Sequence, residues 1–114
     1  MSRTGRITTH VLDVAAGAPA AGLVLTLSLH HTGGWRMLGR FSTNPDGRCD
    51  SPLLEGAALQ AGLYEIVFHV GDWRGDPPGF YDTIPIRFRV SDPSAHHHVP
   101  LILSPFGYST YRGS

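Results

Sequence analysis

Histidine, arginine and hydroxyl side chains gather at four places in this chain: His10, Arg48, the run His96-His97-His98, and the closing residues Tyr111-Arg112-Gly113-Ser114. Histidine gains and loses a proton near neutral pH. A pair of histidines is therefore equipped to take a proton from water and to return one to a leaving group. Arginine offers a planar donor fork that suits carboxylates and the carbonyl-and-nitrogen edges of flat rings. Serine and tyrosine add hydroxyls. Chain ends of globular domains are usually frayed. This one carries Tyr108, Tyr111, Arg112 and Ser114 directly after the strand-like run His98-Val99-Pro100-Leu101-Ile102-Leu103. Each residue also has a plainer reading, because histidines near strand starts and arginines after turns are most often solvated surface groups.

The elements that must hold these side chains are strands. Glycine and proline recur about every ten residues, and short alternating segments lie between them, which is the pattern of a β-sandwich or barrel. Leu23, Leu25, Leu27 and Leu29 face one way, and Val24, Thr26, Ser28 and His30 the other. Trp35, Met37 and Phe41 alternate with Arg36, Leu38 and Arg40; Tyr64, Ile66, Phe68 and Val70 with Glu65, Val67 and His69. Ile84, Ile86, Phe88 and Val90 alternate with Pro85, Arg87 and Arg89, and Pro85, with no amide to donate, puts its strand at a sheet edge or marks where the strand begins. Turns are expected at Thr32-Gly33-Gly34, Asn44-Pro45-Asp46-Gly47 and Asp92-Pro93-Ser94. Gly56-Ala57-Ala58-Leu59-Gln60-Ala61 is too short and glycine-bounded for a regular helix.

Parity then places the chemistry. Ile7 and Val11 share the core face of the first strand, and His10 shares the outer face with Thr8 and Leu12. Late in the chain Val99, Leu101 and Leu103 face the core, while His98, Pro100 and Ile102 point outward. His96 shares the face of His98 and can support it; His97 has the opposite parity and reads as structural. The apolar outer face around Pro100 and Ile102 suggests a subunit interface.

With 114 residues the chain reads as one domain over residues 1–114, large enough to bury roughly 60–70% of its unfolded surface. Nine basic and nine acidic side chains cancel. No basic excess is present to neutralise phosphates or to hold a membrane surface, so neither nucleic acid nor membrane is an expected partner. The single cysteine, Cys49, cannot form an intrachain disulfide, which fits a reducing compartment. No apolar segment follows the polar start Met1-Ser2-Arg3-Thr4-Gly5-Arg6, so no secretory leader is visible and a cytoplasmic location is expected.

Three stretches resemble the 5-hydroxyisourate hydrolases of the transthyretin-related family. They are Thr9-His10-Val11-Leu12-Asp13 with Gly17-Ala18-Pro19-Ala20, then Thr43-Asn44-Pro45-Asp46-Gly47-Arg48, then Tyr111-Arg112-Gly113-Ser114. They occur in the family's order and span both ends and the middle of the chain. The resemblance implies an all-β sandwich of two four-stranded sheets with one short helix after the fifth strand. Here the segment 71–81, with two prolines and three glycines, departs from the pattern, and the helix is expected to shrink to a turn or loop.

The resemblance further implies hydrolysis of 5-hydroxyisourate, a cyclic amide, by water attack at C6 and cleavage of the N1–C6 bond. The implied catalytic residues are His10, Arg48, His98 and Ser114, and the implied substrate contacts are His10, Arg48, Tyr111 and Arg112. His98, helped by the Ser114 hydroxyl, would activate water; Arg48 would receive the developing negative charge. His10 would orient substrate or transfer a proton. Arg112 would bind substrate or pin the terminal segment. Neither metal nor cofactor is implied, and the assembly would be a homotetramer with its sites in a channel between two dimers.

Three other readings compete. A transthyretin-like carrier would use the same channel without catalysis, but relatives of that kind lack the Tyr-Arg-Gly-Ser ending and the histidine pair. A zinc hydrolase would take His96 and His98 from one strand face and His10 as a third ligand. A purely structural sandwich explains the strands but not the polar residues at the matched positions.

Overall fold

Among the described residues the period-two segments fold as strands, nine in all, joined by one short α-helix and turns. A computed structural model describes residues 5–114; residues 1–4, most of the polar start read above, lie outside the described residues. In chain order the strands are β1 (Arg6–Asp13), β2 (Ala18–Pro19), β3 (Val24–His31), β4 (Gly34–Ser42), β5 (Leu54–Glu55), β6 (Gly62–Phe68), β7 (Ile84–Val90), β8 (His96–Ser104) and β9 (Gly107–Thr110). One sheet runs β4-β3-β6-β7, and the other β2-β1-β8-β9 with β5 also paired to β1.

The all-β expectation holds, and one sheet has the four strands anticipated. The other has five, because its edge beside β1 is broken into pieces. β5 pairs with Arg6 and Ile7, and β2 pairs with Leu12 and Asp13. Between them His10 makes a lone antiparallel bridge to Arg48. Pro19, Pro45 and Pro52 have no amide to donate, so the segments along this edge cannot form one continuous ladder.

The core lies between the sheets. Ile7, Val11, Leu101 and Leu103 from the first sheet meet Leu25, Leu27, Tyr64, Ile66 and Phe68 from the second, all fully buried or nearly so. Burying such side chains contributes about 1.5–3 kcal/mol each. The Tyr64 hydroxyl is not orphaned there, since it donates to the Gln60 carbonyl at 2.7 Å. Thr9, inward beside these residues, donates to the Val99 carbonyl at 2.7 Å and ties β1 to β8. Pro85 sits on β7, an outer strand, as its missing amide requires.

Two local departures have clear causes. In β4 the register shifts opposite Leu27 and Ser28, which face Gly39 and Met37 and leave Leu38 as an extra residue. The bulge resets parity. Leu38 and Phe41 pack on the core, while Met37, read as sharing Phe41's face, is exposed. After β6 the expected loop retains a helix of five residues, α1 (Val70–Arg74). Trp73 anchors it by donating from Nε1 to the Ala21 carbonyl at 2.8 Å. Gly75 ends it with φ 85°, and Pro77 and Pro78 follow, so the glycines and prolines of this segment bound the helix rather than abolish it, and the expected turn or loop is corrected to a helix at Val70–Arg74. Residues Gly56–Ala58 form a single 3₁₀ turn. No helix among the described residues is long and apolar enough to cross a membrane.

Candidate active site

β1 and β8 lie side by side and parallel, with Thr8 opposite His98 and His10 opposite Pro100. Their outer faces therefore bring Thr8, His96 and His98 together. Thr8 Oγ1 lies 2.8 Å from His98 Nδ1 and 2.6 Å from His96 Nε2. With Nδ1 engaged, Nε2 is the nitrogen of His98 left for chemistry.

Arg48 is delivered by the turn that precedes it. Asn44 Oδ1 accepts from the amides of Asp46 at 2.9 Å and Arg48 at 3.2 Å, and the Gly47 amide closes on the Asn44 carbonyl at 2.9 Å. Gly47 has φ 74°, and a Cβ there would run into the Val11 carbonyl, so glycine is required. The bridge from Arg48 to His10 then sets the turn against β1. His10 Nε2 donates to the Asp46 carbonyl at 3.0 Å. A carbonyl can only accept, so a neutral His10 keeps its lone pair on Nδ1.

The chain end closes the site. β9 pairs antiparallel with β8, and beyond it the Gly113 amide donates to the His98 carbonyl at 2.8 Å. A side chain at Gly113 would collide with the His98 ring. The glycine of the Tyr-Arg-Gly-Ser ending thus lets the terminus lie against the histidine.

A cleft of about 490 Å³ results, with Arg48, His98, Tyr111 and Ser114 on its walls. Arg6, Thr8 and His96 line it as well. Four of the six residues expected from sequence are thereby gathered in one concavity. His10 stands next to the cleft through Arg48 rather than on its wall. Arg112 lines an adjoining cleft of about 440 Å³ with His97 and Asp92, and His98 and Tyr111 line both clefts. His97 is buried, as its parity requires.

Thr8 and Arg6 were not picked out by sequence reasoning. Parity already put Thr8 on the face of His10, but nothing local shows that β8, 90 residues further on, runs beside β1. The Thr8 contacts depend on that pairing.

Electrostatics favour a neutral base. Partial burial pushes the His98 pKa down, and the nearby charges of Arg48, His96 and His10 push the same way. His96 is also lowered, by partial burial first and then by Arg6 and His97. Both shifts favour the neutral ring. Cys49, on the same cleft wall, is a poor nucleophile, because burial and then Asp50 raise its pKa and keep the thiol protonated. No three His, Cys, Asp or Glu side chains among the described residues converge in a metal-binding arrangement. His10, the third ligand of the zinc reading, is turned to the Asp46 carbonyl. The cleft combines imidazoles, guanidiniums and hydroxyls, the equipment for adding water to a polarised carbonyl.

Residues 7–113 match the family model described as HIUase/Transthyretin family. The chain belongs to the HIUase/Transthyretin family. Within that family it is 51% identical to a protein of Ralstonia nicotianae named 5-hydroxyisourate hydrolase, over 96% of this chain and 99% of that one. It is 48% identical to 5-hydroxyisourate hydrolase 2 of Rhizobium meliloti over the full length of both. The solved structure of Klebsiella pneumoniae 5-hydroxyisourate hydrolase superposes with a TM-score of 0.83 at 31% identity, covering 96% of this chain and 99% of that one. The fold is thus transthyretin-like, as the three motifs implied.

Proposed function

We propose that this chain hydrolyses 5-hydroxyisourate to 2-oxo-4-hydroxy-4-carboxy-5-ureidoimidazoline. The observation that carries the reading is the meeting of His98, Arg48, Tyr111 and Ser114 in one cleft, drawn from three distant segments. Full-length relatives named for that activity support it.

In this mechanism water attacks C6 of the substrate, and His98 Nε2 takes its proton. Ser114 Oγ helps hold the water. The C6 oxygen becomes negative as the tetrahedral adduct forms, and the Arg48 guanidinium stabilises it. The proton held by His98 is then given to N1 as the C6–N1 bond breaks. Tyr111 supplies a further contact to the polar ring. His10, fixed by its bonds beside Arg48, orients that guanidinium's turn and the substrate. Arg112, on the adjoining cleft that shares His98 and Tyr111, keeps the two roles of binding substrate or pinning the terminal segment. A carrier needs neither a neutral base nor an oxyanion donor, so these groups are without use in that alternative.

The working form is a homotetramer in this proposal. Ile102 is half-buried on the outer face of β8 that it shares with His98, whereas Pro100, expected on that surface, is already buried within the chain; a site on a sheet face is completed by a second copy across a two-fold axis. Light scattering reports the assembly: a fully active monomer contradicts it. For the reaction, freshly generated 5-hydroxyisourate is followed by absorbance. The reading requires decay far faster than the spontaneous rate. Tight binding with no acceleration would instead favour the carrier.

A further inference from the structure

Two imidazoles on the outer face of β8 meet on one hydroxyl. Thr8 Oγ1 touches His98 Nδ1 at 2.8 Å and His96 Nε2 at 2.6 Å. A hydroxyl has one proton, so it satisfies two neutral imidazole nitrogens by donating to one ring and accepting from the other. The tautomers of the two histidines are thereby coupled. In the first setting His98 Nδ1–H donates to Thr8, Thr8 donates to His96 Nε2, and His98 Nε2 presents a lone pair. In the second the direction is reversed, and His98 Nε2 carries a proton.

Hydrolysis needs both settings in turn. His98 must first accept a proton and then donate it. A full positive charge on His98 would sit part-buried beside Arg48, with His10 also close. His96 is exposed to solvent, although Arg6 and His97 face it. Asp50 is the acidic side chain on the cleft wall, and it is bonded to Asn44.

We propose that Thr8 is a positioning residue that links His98 to His96 as a two-proton relay, so that the exposed His96 carries the charge created when water is deprotonated. The relay rests on the hydrolase reading given above. As His98 Nε2 takes the proton from water, its Nδ1 proton passes to Thr8 Oγ1, and the Thr8 proton passes to His96 Nε2. The hydroxide bonds to C6, and the electron pair of the C6–O bond goes to the oxygen. When the adduct collapses, that pair re-forms the carbonyl and the C6–N1 pair leaves with N1. His98 Nε2–H protonates N1, Thr8 returns a proton to His98 Nδ1, and His96 Nε2–H restores the Thr8 hydroxyl. One proton has moved from water to N1, and both rings end neutral as they began.

The test uses Thr8→Val, which keeps shape and removes the hydroxyl, and Thr8→Ser, which keeps the hydroxyl. Nitrogen-15 NMR of the full-length protein reads the ring tautomers without any substrate. The relay requires the His98 Nδ1–H form in the wild type, its retention in Thr8→Ser, and its loss in Thr8→Val. In the assay, Thr8→Val should lower kcat by about 10–100-fold with little change in KM, a part of what acid–base catalysis supplies. Thr8→Ser should stay within about threefold of wild type, and the wild type's dependence on deuterium fraction should be curved where that of Thr8→Val is linear. Normal kcat in Thr8→Val, unchanged tautomers in that variant, or equal loss in Thr8→Ser would overturn the relay. A wild-type chain inert toward 5-hydroxyisourate overturns the hydrolase reading instead, and the NMR result then judges the coupling alone.

Discussion

Gly113 and His98 occupy one space: the amide of the first bonds to the carbonyl of the second at 2.8 Å, and the ring of the second lies where a side chain of the first would be. The chain terminus and the His98 ring are therefore placed by a single contact. Gly113→Ala should displace the His98 ring or the Ser114 end. A shift of that size in a catalytic group lowers turnover by about 10²-fold. The core residues are untouched, so the melting temperature should move little. Near-normal kcat in Gly113→Ala would mean that this contact does not position the base.

Arg48→Ala should lower kcat by about 10²–10³-fold, the usual effect of removing an oxyanion donor. It should also raise the His98 pKa, because the Arg48 charge helps hold it down, second to burial. Titration of His98 by NMR in the variant checks this. An unchanged rate removes Arg48 from the site.

His98 also links pH to stability. Its folded pKa lies below the ordinary histidine value of about 6.5, so the unfolded chain binds the proton more readily. The stability it contributes is present above about pH 6.5 and is lost as the pH falls toward the folded value. The acid limb of activity should accordingly lie below pH 6.5. Melting temperatures should fall from pH 7 to pH 5, and His98→Gln should flatten part of that fall. An equal slope in the variant would show that burial and Arg48 do not hold the ring neutral.

His97 provides the contrast. It is buried, and its Nδ1 has no hydrogen-bond partner among the described residues. Replacing an unsatisfied buried group by an apolar one of similar size is neutral or stabilising. His97→Leu should keep activity and leave the melting temperature unchanged or higher, as thermal melts and the assay will read. Loss of activity in a folded His97→Leu protein, with His98→Ala still active, would mean a register error of one residue.

Much of this was legible from alternation. Leu23, Leu25 and Leu27, with Tyr64, Ile66 and Phe68, mark two strands of the core, and Pro85 marks an edge. Parity separated His98 from His97 for the same reason, since the side chains of a strand alternate. The bulge at Leu38 was hidden, because an extra residue in a ladder depends on the partner strand. The Thr8 contacts and the adjoining cleft of Arg112 were hidden too. They arise from the pairing of β1 with β8 and from the path of the last residues, which periodicity does not encode.

The central claim is that His98 in this cleft drives hydrolysis of 5-hydroxyisourate. The most direct measurement compares decay of freshly made substrate with wild type, with His98→Asn and with buffer, after matching the two proteins by circular dichroism. The account predicts rapid decay with wild type and a rate at least about 10²-fold lower with His98→Asn. Wild type no faster than buffer, or His98→Asn as fast as wild type, would contradict it.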